Sequence, residues 1–155
     1  MTEIAPVLTE ADWAEARAIR QTVFVEEQAC PPEEEWDAHD APERRGRTAH
    51  HLLARVDGAP AGCARWRPVT DGDATQVRVA KLERFAVLVP FRGTGLGRAL
   101  VARAVADARA AGHDRLVLHA QSHLEAFYAG FGFRPVGARF WEAGIEHVKM
   151  ECTPG

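Results

Sequence analysis

Between Leu82 and Arg98 the chain reads Leu-Glu-Arg-Phe-Ala-Val-Leu-Val-Pro-Phe-Arg-Gly-Thr-Gly-Leu-Gly-Arg. An apolar strand runs into a turn, three alternating glycines follow, and an amphipathic helix begins at once. This layout makes a cradle for phosphates. Glycine lets the backbone come close to a ligand, and free N–H groups at a helix start point at negative charge. It also constrains topology. The helix must lie over the sheet and deliver the chain, by a right-handed crossover, to a strand parallel to the first.

Three readings of Arg92-Gly93-Thr94-Gly95-Leu96-Gly97-Arg98 compete. A P-loop needs Gly-x-x-x-x-Gly-Lys-Ser/Thr, and no such lysine is present. A dinucleotide fingerprint needs Gly-x-Gly-x-x-Gly. Counted from Gly93, its third glycine would fall on Arg98, and the strand before the loop does not open a βαβ unit. The third reading is Arg/Gln-x-x-Gly-x-Gly, met by Arg92, Gly95 and Gly97. A plain strand-to-helix turn would need one glycine, not three at alternate positions flanked by two arginines.

The remaining pattern predicts the order β-α-βββ-α-β-α-ββ. A short strand covers Ile4 to Leu8, and Thr9 is placed to cap a helix that runs to about Glu27. Trp13, Ala16, Ile19, Val23 and Phe24 form its apolar face. Residues 29–48 are irregular, with Cys30-Pro31-Pro32, an acidic run and then a basic cluster. Strands at His51–Val56 and Ala61–Val69 are joined by Asp57-Gly58, a hairpin signal. A turn at Asp71-Gly72 leads to a longer strand over Val77–Val89. After the glycines a helix spans Gly97–Ala111, with Leu96, Leu100, Val101, Ala104 and Ala108 on one face. A strand at Leu116–Ala120, a short helix at about His123–Phe131, and a hairpin of Phe133–Phe140 with Ile145–Cys152 complete the chain. The predicted fold is α/β (α+β), a mixed sheet with helices on its faces.

Length and composition set outer bounds. The chain has 155 residues, 46% hydrophobic and 26% charged, which suits one globular domain over residues 1–155. A net charge of −3 disfavours nucleic acid as a partner. No apolar run approaches the roughly 20 residues of a membrane helix, and no secretory leader is visible. Cys30, Cys63 and Cys152 are odd in number and scattered, which predicts reduced thiols and a cytoplasmic location. Lysine occurs only at Lys81 and Lys149; this reads as codon bias. His50, His51, His119, His123 and His147 are zinc-type residues, but no pair has ligand spacing, and no metal is expected.

The loop, together with Ala126-Phe127-Tyr128-Ala129-Gly130-Phe131-Gly132-Phe133 about thirty residues on, resembles the GNAT superfamily of acyl-CoA-dependent N-acyltransferases. The likeness spans nearly the whole chain. Val23-Phe24-Val25-Glu26-Glu27-Gln28, Cys30-Pro31, Ala120-Gln121-Ser122-His123-Leu124 and Glu142-Ala143-Gly144-Ile145-Glu146-His147 are similar to its ElaA-like branch. The resemblance implies a largely antiparallel central sheet with a splayed parallel strand pair. It implies acetyl-CoA as cosubstrate and a primary amine, of a small molecule, as acceptor. Backbone groups of Phe85, Ala86 and Val87 would pair with the pantetheine arm. The N–H groups of Gly93, Thr94, Gly95, Leu96, Gly97 and Arg98 would hold the pyrophosphate, with Arg92 and Arg98 adding charge.

Transfer from a thioester to an amine poses two proton problems. An alkylammonium, pKa about 10.4, must lose a proton, and a departing thiolate, pKa about 8.5, benefits from a donor. The resemblance makes Tyr128, the only tyrosine, the thiolate's donor, and the Val87 amide the oxyanion's partner. Candidates for the base are Glu83, placed by simple alternation on the face of Phe85 and Val87, and His119, opposite Leu118. Lys81 occupies one position where the family often has a glutamate. Phe24, Glu27, Gln121, His123, Glu142 and His147, with Arg20 and the 29–48 segment, are expected around the acceptor. Two rival functions stay open at this point: a non-catalytic acyl-CoA-binding sensor and a protein-amine acetyltransferase. The sequence leaves oligomeric state open, a homodimer included.

Overall fold

The computed structural model describes residues 1–70 and 78–153. The expected turn at Asp71-Gly72 and the start of the strand at Val77 lie outside the described residues. Seven strands form one sheet: β1 (Thr2–Pro6), β2 (His50–Val56), β3 (Ala59–Val69), β4 (Val79–Val87), β5 (Arg115–Gln121), β6 (Arg134–Glu142) and β7 (Ile145–Cys152). Their order is β1-β2-β3-β4-β5-β7-β6. Every pairing is antiparallel except β4 with β5.

One face carries α1 (Glu10–Arg20). Thr9 caps it as predicted, its hydroxyl accepting from the Asp12 amide at 3.0 Å. The helix then widens into a π-helical stretch, Gln21–Glu27, a change of pitch that the spacing of apolar residues did not reveal. Ala16, Ile19 and Val23 pack there with Leu53, Cys63 and Ala86. Inside the segment expected to be irregular, Pro32 opens α2 (Pro32–Glu35) and a 3-10 turn covers Ala38–Asp40. A proline cannot continue a helix, but its fixed φ suits the first turn of a new one.

The opposite face carries α3 (Leu96–Ala110) and α4 (Glu125–Ala129). The buried residues of α3 are the five predicted: Leu96, Leu100, Val101, Ala104 and Ala108. They meet Leu82, Leu116, Leu118 and Met150 in the larger core. Gly62 on β3 makes this approach possible. A Cβ there would stand 2.8 Å from the Ala86 carbonyl and 2.9 Å from Leu100 Cδ1. No described helix is long and apolar enough to cross a membrane.

Candidate active site

The site begins where two parallel strands part. β4 and β5 pair only over Val79–Lys81 with Arg115–Val117. Beyond that rung β4 continues to Val87 and β5 to Gln121 without pairing to each other. Two unpaired edges thus face each other inside a sheet. Such edges expose backbone donors and acceptors that an extended ligand can satisfy as an added strand.

A bulge sharpens this opening. Cys63 lies opposite Ala86, but Arg65 lies opposite Glu83, so Arg84 and Phe85 together face Ala64. Arg84 takes φ +58°, and the extra residue shifts side-chain alternation by one. Glu83 therefore does not share a face with Phe85 and Val87. Phe85 and Val87 turn toward the α3 face, while Glu83 points to the α1 face among Arg65, Arg67 and Lys81. Alternation failed here because a bulge leaves no reliable mark in the sequence.

β4 ends in a 3-10 turn, Val89–Phe91, and the glycine loop follows. Gly95 occupies the N-cap of α3 at φ +89°, and no side chain caps the helix. The first-turn N–H groups of Leu96, Gly97 and Arg98 have no intrahelical acceptor and sit at the positive end of the helix dipole. Arg98 stands 5.7 Å and 5.8 Å from the ring centroids of Phe127 and Phe131. Arg92 donates from Nε to the Val87 carbonyl at 2.8 Å and pairs with Glu27 at 2.9 Å. Glu27 thereby ties the end of the first helix to the loop. Thr94 donates its hydroxyl to the Phe91 carbonyl.

Tyr128 on α4 is buried, with its ring 6.2 Å from that of Phe85 on the splayed half of β4. Burial raises its hydroxyl to about 12, so the group stays protonated at any working pH. Phe127 and Phe133 hold the ring from two further sides.

On the α1 face the vertex opens into a cleft of about 440 Å³. Its lining includes Arg67, Lys81, Val117, His119 and Lys149. His119 directs Nδ1 at Glu142 Oε1, 3.5 Å away, and His147 directs Nε2 at Glu142 Oε2, 3.7 Å away. The Ile145 carbonyl lies 2.7 Å from His147 Nδ1, so that nitrogen carries the proton. Phe140 packs edge-on to His119 and stacks on His147. The His119 contact holds the Glu142 carboxyl below its ordinary range.

The other sequence candidates separate. Gln121 donates to Gln28 at 3.1 Å, bridging β5 to the end of the first helix. Phe24 packs into the smaller core. His123 is exposed on a 3-10 turn, Ser122–Leu124. Arg20 is 1% exposed and is consumed by Glu35 and Asp40, at 2.7 Å and 2.6 Å, so it cannot reach an acceptor. Of the histidines considered for zinc, His119 and His147 share Glu142 and the others lie apart from them. His50 stacks on Trp66, and His51 is buried against Trp13.

Sequence reading missed the charge network beneath the site. Arg65, 1% exposed, holds Asp37, Asp40 and Glu83 at 2.7, 2.9 and 2.6 Å. Arg84 adds Glu35 and Asp37. The acidic run is thus neither a solvated loop nor an acceptor pocket as a whole. Glu35, Asp37 and Asp40 clamp the segment onto β3 and β4. The signal was an acidic cluster facing arginines distant in sequence, which only the fold could pair.

A family model described as an acetyltransferase (GNAT) domain matches residues 21–154. The chain belongs to the GNAT acetyltransferase family. Among sequence relatives, the uncharacterised protein YyaT of Bacillus subtilis is 34% identical over 147 residues, 95% of this chain and 93% of that protein. The uncharacterised N-acetyltransferase YjcF of the same organism is 33% identical over 145 residues, covering 91% and 92%. Among solved structures, Escherichia coli ElaA superposes with a TM-score of 0.81 at 27% identity, covering 98% and 99% of the two chains. An acyl-CoA N-acyltransferase from Pseudomonas aeruginosa gives 0.82 at 30% identity, covering 99% and 100%. This GNAT chain is ElaA-like, and the splayed β4–β5 pair is the one expected from its sequence.

Proposed function

We propose that this GNAT protein is a single-domain, cytoplasmic N-acetyltransferase that moves an acetyl group from acetyl-CoA to a primary amine of a small molecule. The observation that carries the reading is the continuous path from the uncapped glycine loop, along the unpaired edge of β4, to the vertex at Lys81 and Val117. From Lys81 to Val87 that edge is roughly 20 Å long at about 3.3 Å per residue, enough for an extended phosphopantetheine arm. The pyrophosphate rests on the N–H groups of Gly93 to Arg98 and the arm on Phe85, Ala86 and Val87. The thioester then lies near Tyr128 on one face and the cleft on the other.

The geometry supports the following roles. Tyr128, protonated and beside Phe85, gives its proton to the departing thiolate. The Val87 amide faces the developing oxyanion. His119, at the cleft wall, accepts the amine's proton, with Glu142 orienting the ring as a carboxylate orients an imidazole elsewhere. Glu83 is the weaker base. Arg65 and Arg67 accompany it in its buried site and hold its carboxyl at about 2, where it has little affinity for an ammonium proton. It positions Arg67 and Lys81 instead. Glu27, through Arg92, couples the acceptor side to the donor loop.

The test is release of CoA thiol from acetyl-CoA across a panel of small amines. Amine-dependent release supports the reading. Tight acetyl-CoA binding without release to any amine would identify an acyl-CoA sensor in its place.

The loop makes a separate prediction. Gly97 lies in the first turn of α3, and an added Cβ would meet only Val87 Cγ2 at 3.9 Å, an ordinary contact. Alanine favours a helix by up to about 1 kcal/mol over glycine. Gly97→Ala should therefore leave thermal stability equal or higher. It should weaken acetyl-CoA binding by about tenfold, because the methyl intrudes where the backbone must approach the pyrophosphate. Calorimetric titration and thermal melts on the same sample read both effects.

A further inference from the structure

Of the chain's nineteen basic side chains only two are lysines, Lys81 and Lys149, and both line the vertex cleft. The scarcity of lysine therefore has structural content that composition alone did not show. An ammonium is a compact point charge with rotatable donors, whereas guanidinium is a planar fork. Here the chain places both of its ammonium groups in one cavity, beside Arg67 and His119.

The described lining of the cleft is rich in basic groups. No carboxylate belongs to its described lining. Glu83, behind the wall, serves Arg65 at 2.6 Å, Arg67 at 2.8 Å and Lys81 at 3.7 Å. One carboxylate thus answers three cations, although Asp37 and Asp40 also share Arg65. Glu142 faces His119 and His147 and also acts on Lys81. Lys81 is mostly buried, and burial pulls its pKa below the ordinary lysine value in spite of Glu83. A cavity of this volume, with basic side chains in half of its described lining and open at the vertex of the splayed strands, suits an anion.

We propose that the cleft binds an anionic group, a carboxylate or a phosphate, carried by the acceptor amine, with Arg67, Lys81 and Lys149 as its counter-charges. This deepens the acetyltransferase reading and rests on it for the word acceptor. The anion anchors the molecule at the cleft floor and leaves its amine to reach His119 and the thioester. The expected substrate class is thus zwitterionic, an amino acid or an aminoalkyl phosphate, and not a simple alkylamine or polyamine.

The experiment uses matched pairs with the whole protein and CoA present. N-acetylphenylalanine is compared with N-acetylphenethylamine, and N-acetylphosphoethanolamine with N-acetylethanolamine, by calorimetric titration. At least one anionic member should bind about tenfold or more tightly than its neutral partner, and which pair does so separates carboxylate from phosphate. Lys81→Met and Arg67→Gln should each erase most of that ratio, and Lys81→Arg should keep more of it than Lys81→Met. Circular dichroism confirms that each variant is folded, and Lys81→Met leaves the Arg65–Glu83 pair in place should Arg67→Gln not fold. Equal binding of the partners, no binding of either anionic member, or a ratio that survives in Lys81→Met would overturn the proposal. The amine panel fails or succeeds independently. Thiol release to neutral amines without a binding preference keeps the enzyme and removes the anion site. A binding preference without release keeps the site and removes the enzyme.

Discussion

Arg65→Ala is expected to destabilise the protein by about 3–5 kcal/mol, the cost of breaking a buried ion pair from one side. Arg65 is 1% exposed, and its guanidinium serves Asp37, Asp40 and Glu83 together. Alanine would leave three carboxylates facing one another without the cation that lies between them. The 29–48 segment would lose its hold on β3, and Glu83 would press directly on Lys81 and Arg67. Urea denaturation of the two proteins measures the difference. A loss below about 1 kcal/mol would mean that Arg20 and Arg84 hold the segment without help. Lys at this position should rescue only in part, since one ammonium cannot reproduce a fork that binds three acids.

The same network fixes the acid behaviour. Glu83 falls from 4.5 to about 2 in the folded state because Arg65 and Arg67 outweigh its burial. Asp37 and Asp40 are also held below 3.8. Depressed carboxyls contribute stability above their unfolded values and lose it as pH falls through the folded ones. Buried His51 falls from 6.5 to about 4, mainly through desolvation. Between those values the unfolded chain takes a proton that the native state refuses. Stability should therefore decline from about pH 6.5 to 4 through His51, and from 4.5 toward 2 through the carboxylates. Glu35, raised by burial, opposes the decline. Arg65→Ala should flatten the lower part of this curve and, because Arg65 also helps to lower His51, reduce the His51 part to a smaller degree.

Tyr128→Phe is expected to lower turnover by about a hundredfold, within the usual range for losing a general acid, while acetyl-CoA affinity stays the same. The ring packs against Phe85, Phe127 and Phe133, and phenylalanine keeps every one of those contacts. Thermal stability should thus change little, which separates a chemical role from a structural one. Turnover of the variant within threefold of the parent would assign the thiolate's proton to water. A pH profile sharpens the result. With its hydroxyl at about 12, Tyr128 contributes no limb near neutrality. The limb set by the base should persist in the variant with the same midpoint.

Much of the fold was legible because its causes are local. Thr9 caps α1 through its own hydroxyl, Asp57-Gly58 turns a hairpin, and the apolar stripe from Leu96 to Ala108 marks the buried face of α3. The glycine loop was equally local, since its glycines, its N–H groups and the helix they open are contiguous. What escaped was set by residues meeting from afar. The bulge at Arg84 arises from the register of β3 against β4, and it moved Glu83 to the face opposite Phe85. The pairing of acids at 35–40 with arginines at 20, 65 and 84 needs α2 folded back on the sheet. By itself the sequence determined the order of elements and the glycine loop that opens α3, because those depend on neighbours in the chain. Only the tertiary structure decided which charges survive at the vertex cleft. It brought both lysines together there and put most of the acidic run to use elsewhere, because electrostatic partners are chosen by distance in space.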